Sequence, residues 1–179
     1  TRYISVTGVQ TCALPIFKVA IQNPKGHPIV TGAEKFAEIV NSKASGKLKV
    51  NVFAGGALGS DFQVITAMQG GTVEMGVMNS SIMAGTVKEM AVYDFPFLFR
   101  SEKEADAIVD GPFGKKMHDK LEEKGMVGLG YFELGFRNMT NSKRPLNKVE
   151  DIAGLKLRVI PTAINVDRSE EHTSELQSH

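Results

Sequence analysis

The chain of 179 residues carries 21 lysine and arginine residues against 20 acidic residues, which leaves a net charge of +1 at pH 7. This balance lacks the basic excess of nucleic-acid-binding proteins, and no apolar run approaches the roughly 18–20 residues that a membrane span requires. Residues 17–167, from which the fold is predicted below, contain no cysteine and only two histidines, His27 and His118, which are too few for a zinc or iron–sulfur cluster, so we expect no metal and no cofactor. The balanced charge predicts no nucleic-acid partner.

Both ends of the chain look like translated sequencing-adapter DNA. The words VTGVQTCALPI, which ends at Ile16, and RSEEHTSELQSH, which begins at Arg168, can be read from opposite strands of one synthetic oligonucleotide. We therefore expect 1–16 and 168–179 to be adapter-derived and leave them out of the fold prediction. On this interpretation 17–167 is a fragment cut at both ends, and any signal peptide lay upstream of it.

The first half of this stretch alternates between strand and helix patterns. Residues 17–22 (FKVAIQ) and 48–53 (LKVNVF) alternate apolar and polar side chains, which predicts two strands. Between them, apolar residues over 29–40 recur at helical spacing. After the turn AGGALGS, the sequence predicts a short helix over 61–70 and a third strand over 72–79.

The second half begins with an apolar segment that ends in aromatic residues around Pro96. A Ser-x-x-Glu capping box from Ser101 to Glu104 opens a helix, and a Gly-Pro break separates it from a second amphipathic helix. The stretch 126–141 predicts one unusually long strand, and 155–160 (LKLRVI) predicts a last strand after a short helical turn. The order β-α-β-α-β-α-α-β-β predicts an α/β fold with a mainly parallel sheet.

No set of residues in the sequence has the pattern of a catalytic site. His27 precedes a helix, where a loop or capping role is expected, and His118 lies on a charged helical face, where we expect it to be exposed. GGALGS lacks the lysine and following hydroxyl of a phosphate-binding loop, and no serine stands in a G-x-S-x-G motif. We therefore predict that the chain is not an enzyme.

Two arginines are candidates for binding an anion. Arg158 lies in GLKLRVIP, near the carboxyl end of a predicted strand, which is where open α/β sheets place ligand contacts. Its planar guanidinium matches a carboxylate with two parallel hydrogen bonds. Arg137, in GFRNMTNSKRP, is a second candidate. The alternative for each is an arginine on a solvated surface.

A family resemblance rests on three blocks in a fixed order: HPIVTGAEKFAEIVNSKASGKLKVNVFAGGALGSDFQVITAMQGGTVEMGV, DFPFLFRSEKEA and GFRNMTNSKRPLNKVEDIAGLKLRVIP. Over 17–167 the chain resembles the extracytoplasmic solute-binding proteins of tripartite ATP-independent periplasmic (TRAP) transporters, the DctP type. The resemblance implies a periplasmic-binding-protein-like α/β fold, in which two lobes joined by a hinge close over a small organic acid. It further implies that 17–128 is the first lobe and that 129–167 is the crossing strand and the truncated start of the second.

The resemblance also implies binding residues and partners. Arg158 would clamp the substrate carboxylate, Arg137 would line the same cleft, and Asn79 and Gln22 would add polar contacts at positions that vary with substrate. The whole protein would be a periplasmic receptor that delivers a small organic acid to the membrane subunits of a TRAP transporter.

Two other classes of protein remain open from the residues alone. One is the ligand-sensing α/β domain of a transcription regulator, which an upstream helix-turn-helix would reveal. The other is a two-lobe α/β enzyme whose catalytic residues lie in the missing part. The sequence does not specify which organic acid is bound.

Overall fold

The computed structural model describes residues 14–95, 97–136, 138–160 and 165–166. Its elements in chain order are β1 (Ile16–Ile21), α1 (Pro28–Lys43), β2 (Lys49–Phe53), α2 (Asp61–Gln69), β3 (Met75–Val77), α3 (Ser80–Met83), a first 3₁₀ helix (Lys88–Asp94), α4 (Glu102–Val109), α5 (Pro112–Glu122) and a second 3₁₀ helix (Val149–Ile152). The predicted order of helices and strands is confirmed as far as α5, except that α3 and the first 3₁₀ helix form where the sequence predicted only an apolar segment. Within this part of the chain, no helix combines the length and apolar content that crossing a membrane demands.

The three strands form a parallel sheet in the order β2-β1-β3. Val19 at the centre of β1 is paired with Val52 of β2 on one side and with Met75 of β3 on the other. Parallel neighbours need a crossover between them, and α1 and α2 lie in the chain segments that make these crossovers. The predicted parallel α/β arrangement is therefore confirmed.

The two faces of β1 pack against different helices. Val19 and Ile21 contact the buried residues of α1, among them Val30, which is fully buried. Ala20, on the opposite face of the strand, packs with Val64 of α2. Since successive strand side chains point to opposite faces, a central strand covered on both faces needs a nearly continuous apolar run, and VAI provides it.

A further core cluster joins α2, α3, the first 3₁₀ helix and α5. Its buried members are Ile65, Ile82, Met83, Val87, Met90, Met117, Leu121 and Met126. Four of the eight are methionines, whose flexible side chains fill the irregular space between elements of different direction.

The two last predicted strands do not form. Residues 126–136 and 138–141 are irregular, and so are 155–160. A strand needs a neighbour for its backbone hydrogen bonds, and no described residue pairs with these two segments. Side chains hold 126–136 instead: Met126 is buried, and the Tyr131 hydroxyl donates to Gly114 O of α5 at 3.2 Å.

The first strand begins one residue inside the segment that the sequence predicts to be adapter-derived. Ile16 pairs with Lys49, and Lys49 N donates to Pro15 O at 2.9 Å, because backbone groups can extend a ladder whatever their side chains. The side chains of Leu14 and Ile16 remain 40% and 49% exposed. The rest of 1–16, all of 168–179 and Pro96 lie outside the described residues.

Candidate functional site at the carboxyl edge of the sheet

The carboxyl ends of the three parallel strands lie at one edge of the sheet, where ligands bind in open α/β folds. The loops that follow β1 and β2 are joined there by backbone hydrogen bonds: Gly55 N donates to Asn23 O at 2.8 Å, and Gly56 N donates to Ile21 O at 3.1 Å. The residue after β1 is Gln22, one of the predicted contacts. Asn79, another, comes two residues after β3.

Gln22 is fixed against the glycine-rich turn that follows β2. The side chain is half-buried, and its Nε2 donates to Gly59 O at 2.6 Å. A Cβ atom at Gly56 would lie 2.9 Å from Gln22 Oε1, so the turn approaches the amide closely only because this residue has no side chain. An amide nitrogen carries two hydrogens, so Gln22 keeps one donor for a ligand.

Asn79 is oriented by the short helix that it caps. Its Oδ1 accepts hydrogen bonds from Ser81 N at 3.0 Å and from Ser81 Oγ at 2.8 Å. No described residue accepts a hydrogen bond from its Nδ2. Because Oδ1 is held by two hydrogen bonds, the orientation of Nδ2 on the same planar amide is fixed as well. An N–H donor in a fixed orientation suits a carboxylate or hydroxyl oxygen of a ligand.

Asp61, at the start of α2, is a polar group at this edge that the sequence did not single out as a site residue. Ser60 caps the helix in a reciprocal box with Gln63, in which Ser60 N donates to Gln63 Oε1 at 2.8 Å. Burial raises the pKa of the Asp61 carboxyl above its usual value. The signal that could have found it is an acidic residue directly after a glycine-rich strand-to-helix turn.

The two predicted arginines have different outcomes. Arg158 is exposed and lies in the irregular segment 155–160, so the prediction that it stands on a strand is wrong. No described residue forms a hydrogen bond or an ion pair with its guanidinium, and none joins it to Gln22 or Asn79. Arg137 lies outside the described residues.

The two histidines within 17–167, His27 and His118, contact groups that hold the fold together. His27 caps α1, and its Nδ1 accepts a hydrogen bond from Ile29 N at 3.3 Å, which confirms the predicted capping role. His118 is half-buried and stacks on the Tyr131 ring at 4.6 Å, so the prediction that it is exposed is wrong. Tyr131, which follows α5 in the chain, is held against that helix because its hydroxyl donates a hydrogen bond to Gly114 O. In the described ranges, no three His, Cys, Asp or Glu side chains converge as a metal site.

Comparison with known proteins shows which family the chain resembles. The model of "DctP: Bacterial extracellular solute-binding protein, family 7" matches residues 19–171. A curated relative, the 2,3-diketo-L-gulonate-binding periplasmic protein YiaO of Escherichia coli (strain K12), is 35% identical over 134 residues, or 75% of this chain and 41% of YiaO. The chain thus spans about two fifths of the length of YiaO, and the same share of a curated solute-binding protein from Verminephrobacter eiseniae (strain EF01-2).

Two solved structures share the fold of the described residues. A TRAP periplasmic solute-binding protein from Ochrobactrum anthropi is 50% identical, with a TM-score of 0.79 over 87% of this chain and 49% of that protein. The sugar acid binding protein DctPAm from Advenella mimigardefordensis, solved in complex with galactonate, is 39% identical, with a TM-score of 0.86 over 90% of this chain and 53% of that protein.

Proposed function

The chain belongs to the DctP family of bacterial extracellular solute-binding proteins, family 7, and on that premise we propose that it is part of a periplasmic receptor for a small organic acid. The receptor holds the acid by its carboxylate and delivers the acid to the membrane subunits of a TRAP transporter. The family match across 19–171 carries this proposal. The printed ligands of two relatives, 2,3-diketo-L-gulonate and galactonate, are both sugar acids and support it.

The proposed binding chemistry combines cations with amide donors. Arg158 supplies a planar fork for the carboxylate, with Arg137 as a second cation, while Gln22 and Asn79 donate from the edge of the sheet. A hydrogen bond to a charged group contributes about 1.5–3 kcal/mol, whereas micromolar affinity needs about 8 kcal/mol. Arg158 alone is therefore insufficient, and the site requires the other polar groups and apolar walls around the ligand.

The proposed lobe boundaries follow the same logic. We assign 17–128 to the first lobe and 129–167 to the crossing segment and the beginning of the second lobe. The end of α5 at Glu122, and the absence of a strand partner for 126–136 among the described residues, agree with a chain that leaves one lobe for another. Binding then closes the lobes about a hinge, and the ligand shifts the population toward the closed form.

Neither alternative from the sequence gains support. DctP-family proteins are solute receptors, and no comparison reported above is with a transcription regulator or an enzyme. The described part of the chain places no acid, base and nucleophile together at the carboxyl edge of the sheet.

A thermal-shift experiment on a full-length protein that contains this chain tests the proposal. The ligands are D-galactonate, D-glucuronate and succinate, with neutral D-galactose as the matched control for galactonate. At a hundredfold excess over Kd, a ligand stabilises the folded state by about 2.7 kcal/mol. In a full-length protein roughly twice as long as this chain, that stabilisation raises Tm by about 5 °C. We expect such a shift with at least one acid and none with galactose. An equal shift with galactose, or no shift with any acid, contradicts the proposal.

A further inference from the structure

Residues 141–155 fold into a compact unit through hydrogen bonds between side chains and backbone. Asn141 Oδ1 accepts from Lys143 N at 2.9 Å and from Arg144 N at 3.0 Å, and Asn141 Nδ2 donates to Arg144 O at 2.9 Å. Asparagine side chains commonly fold the following residues into such a turn. The backbone of Arg144 is thereby fixed from both its N–H and its carbonyl.

The Arg144 side chain then holds the end of the second 3₁₀ helix. Its Nε donates to Asp151 O at 3.0 Å, and its Nη2 donates to Ala153 O. Carbonyls at a helix end lack partners within the helix, and the negative end of the helix favours a cation. One planar guanidinium satisfies two carbonyls that lie two residues apart, which the point charge of a lysine does less well.

The carbonyl of Ala153 belongs to the turn that leads into the Arg158 segment. Ala153 has φ −54° and ψ 131°, Gly154 has φ +74°, and Leu155 N donates to Ile152 O at 3.0 Å. These angles define a type II turn, in which glycine suits the third position. Ile152 and Leu155, the two ends of the turn, are only 6% and 4% exposed, so the turn is anchored in the core.

Arg158 follows this anchor by three residues, and no strand ladder among the described residues fixes its direction. Building on the function proposed above, we propose that Arg144 is a positioning residue that sets the course of 155–160 and so directs Arg158 toward the ligand carboxylate. An exposed arginine loses conformational freedom when it binds, and a fixed backbone beneath it reduces that loss. Arg144 itself does not touch the ligand.

Three substitutions separate geometry from charge in a full-length protein that contains this chain. Arg144→Lys keeps the charge and loses the fork. Lys143→Ala removes a neighbouring positive charge and leaves the Arg144 hydrogen bonds intact, so it is the matched control. Gly154→Ala strains the type II turn without altering Arg144. If Arg144→Lys does not fold, Gly154→Ala replaces it in the measurements below.

Calorimetric titration with D-galactonate, or with D-glucuronate or succinate if that acid gives the thermal shift, in wild-type and Arg158→Lys backgrounds measures whether Arg144 acts through Arg158. We expect Arg144→Lys to raise Kd about fivefold in the wild type and by less than about twofold when Arg158 is already lysine. Lys143→Ala should change Kd by less than about twofold. The inference is overturned by an unchanged Kd in Arg144→Lys, or by the same fivefold effect in both backgrounds, since that effect would not pass through Arg158.

Hydrogen exchange without ligand tests the positioning step even if no acid binds. We expect the amides of 155–160 to exchange at least about threefold faster in Arg144→Lys than in the wild type, with those of α1 unchanged. Unchanged exchange over 155–160 overturns the inference whatever the ligand. A wild-type protein that binds no acid, while exchange still rises in Arg144→Lys, refutes the proposed function and leaves Arg144 as the residue that orders this segment.

Discussion

Two neighbouring glycines after β2 share a backbone conformation and differ in their surroundings. Gly55 and Gly56 have φ values of +68° and +71°, in the left-handed region that other residues rarely adopt. A Cβ atom at Gly55 would meet nothing within 4 Å, whereas one at Gly56 would lie 2.9 Å from Gln22 Oε1. Gly56 is therefore the residue that lets the turn close on a proposed ligand contact.

We predict that Gly56→Ala lowers the free energy of unfolding by about 2 kcal/mol, and that Gly55→Ala lowers it by only about 1 kcal/mol. Both variants carry the same backbone strain, but only Gly56→Ala displaces the Gln22 amide, which is held by its hydrogen bond to Gly59 O. Urea unfolding of the two variants measures the difference. Equal losses would show that the contact with Gln22 contributes nothing.

The roles of single residues were predictable where the cause is local. His27 caps α1, as its position before Pro28 and the helix suggests. The surroundings of His118 were not predictable, because Tyr131 stacks on it from 13 residues further along the chain. Asp61 lies between these cases: the glycine-rich turn before it marks the position, but no local pattern records the burial that raises the pKa of its carboxyl.

At the scale of elements, α1 protects the open edge of the sheet. β2 is an edge strand, and Asn41 of α1 bonds to it as a neighbouring strand would: its Nδ2 donates to Val50 O at 3.0 Å, and its Oδ1 accepts from Val50 N at 2.7 Å. Unpaired strand edges promote association between chains. Asn41 thus joins the helix to the sheet and covers part of that edge.

We predict that Asn41→Ala costs about 2 kcal/mol of stability, because it leaves two backbone groups of β2 without partners. The amide hydrogen of Val50 should also exchange faster. Asn51→Ala is the control: this asparagine lies on β2 itself, and its side-chain amide forms no hydrogen bond with a described residue. Unfolding curves that coincide for the two variants would show that Asn41 does not support the edge.

A pair of tyrosines joins the first 3₁₀ helix to α5. The hydroxyls of Tyr93 and Tyr131 lie 3.1 Å apart, and Tyr131 donates onward to Gly114 O. Burial raises the pKa of Tyr93, and its hydrogen bond to Tyr131 raises it further. Burial also raises the pKa of Tyr131, against the opposing effect of the bond from Tyr93.

These shifts predict how stability depends on alkaline pH. Below the unfolded-state pKa of about 10 both tyrosines are protonated in both states, so their contribution is fully present. Above it the unfolded chain loses protons that the folded chain retains, and stability falls as pH rises. Urea unfolding between pH 9 and 11.5 should show a shallower decline for Tyr93→Phe than for the wild type. Parallel declines would show that Tyr93 keeps an ordinary pKa.

The predicted elements that do not form are those that depend on distant partners. α1 and the strands β1 and β2 have their own periodicity and were predicted with small boundary shifts. Residues 126–141 and 155–160 have strand-like sequences, yet their formation requires a neighbour that the described residues do not supply. Propensity alone does not form a strand.

At the scale of the whole molecule, the chain exposes apolar side chains after α5. Val127, Leu129, Phe132, Leu134 and Phe136 are between 48% and 73% exposed. Apolar surface of this kind commonly marks an interface or leads to association. The predicted two-lobe architecture accounts for it, since the second lobe would contact this segment.

We therefore predict that the 179-residue chain self-associates, and that Leu129→Ser combined with Leu134→Ser weakens the association at least about tenfold without loss of stability. Ile39→Ser, on an exposed position of α1, is the matched control and should leave association unchanged. Sedimentation velocity over a concentration series measures it. A monomeric wild-type chain at high concentration would contradict this prediction.

The family and the α/β fold were predictable from collinear sequence blocks, and the match over 19–171 confirms them. How the proposed binding residues Gln22, Asn79, Arg137 and Arg158 meet was not predictable, because they come from separate segments of the chain. Only folding brings such segments to one cleft, and half of each solved relative lies beyond the part that this chain matches.

Calorimetric titration of a full-length protein that contains this chain, as wild type and as Arg158→Lys, tests the central claim that an arginine fork holds a carboxylate. Lysine keeps the charge and loses the two parallel donors, at a cost of about 1.5 kcal/mol or more. We predict that Kd for the bound acid rises at least about tenfold, with Tm unchanged because Arg158 is exposed. Equal dissociation constants would contradict the account by removing Arg158 from the site.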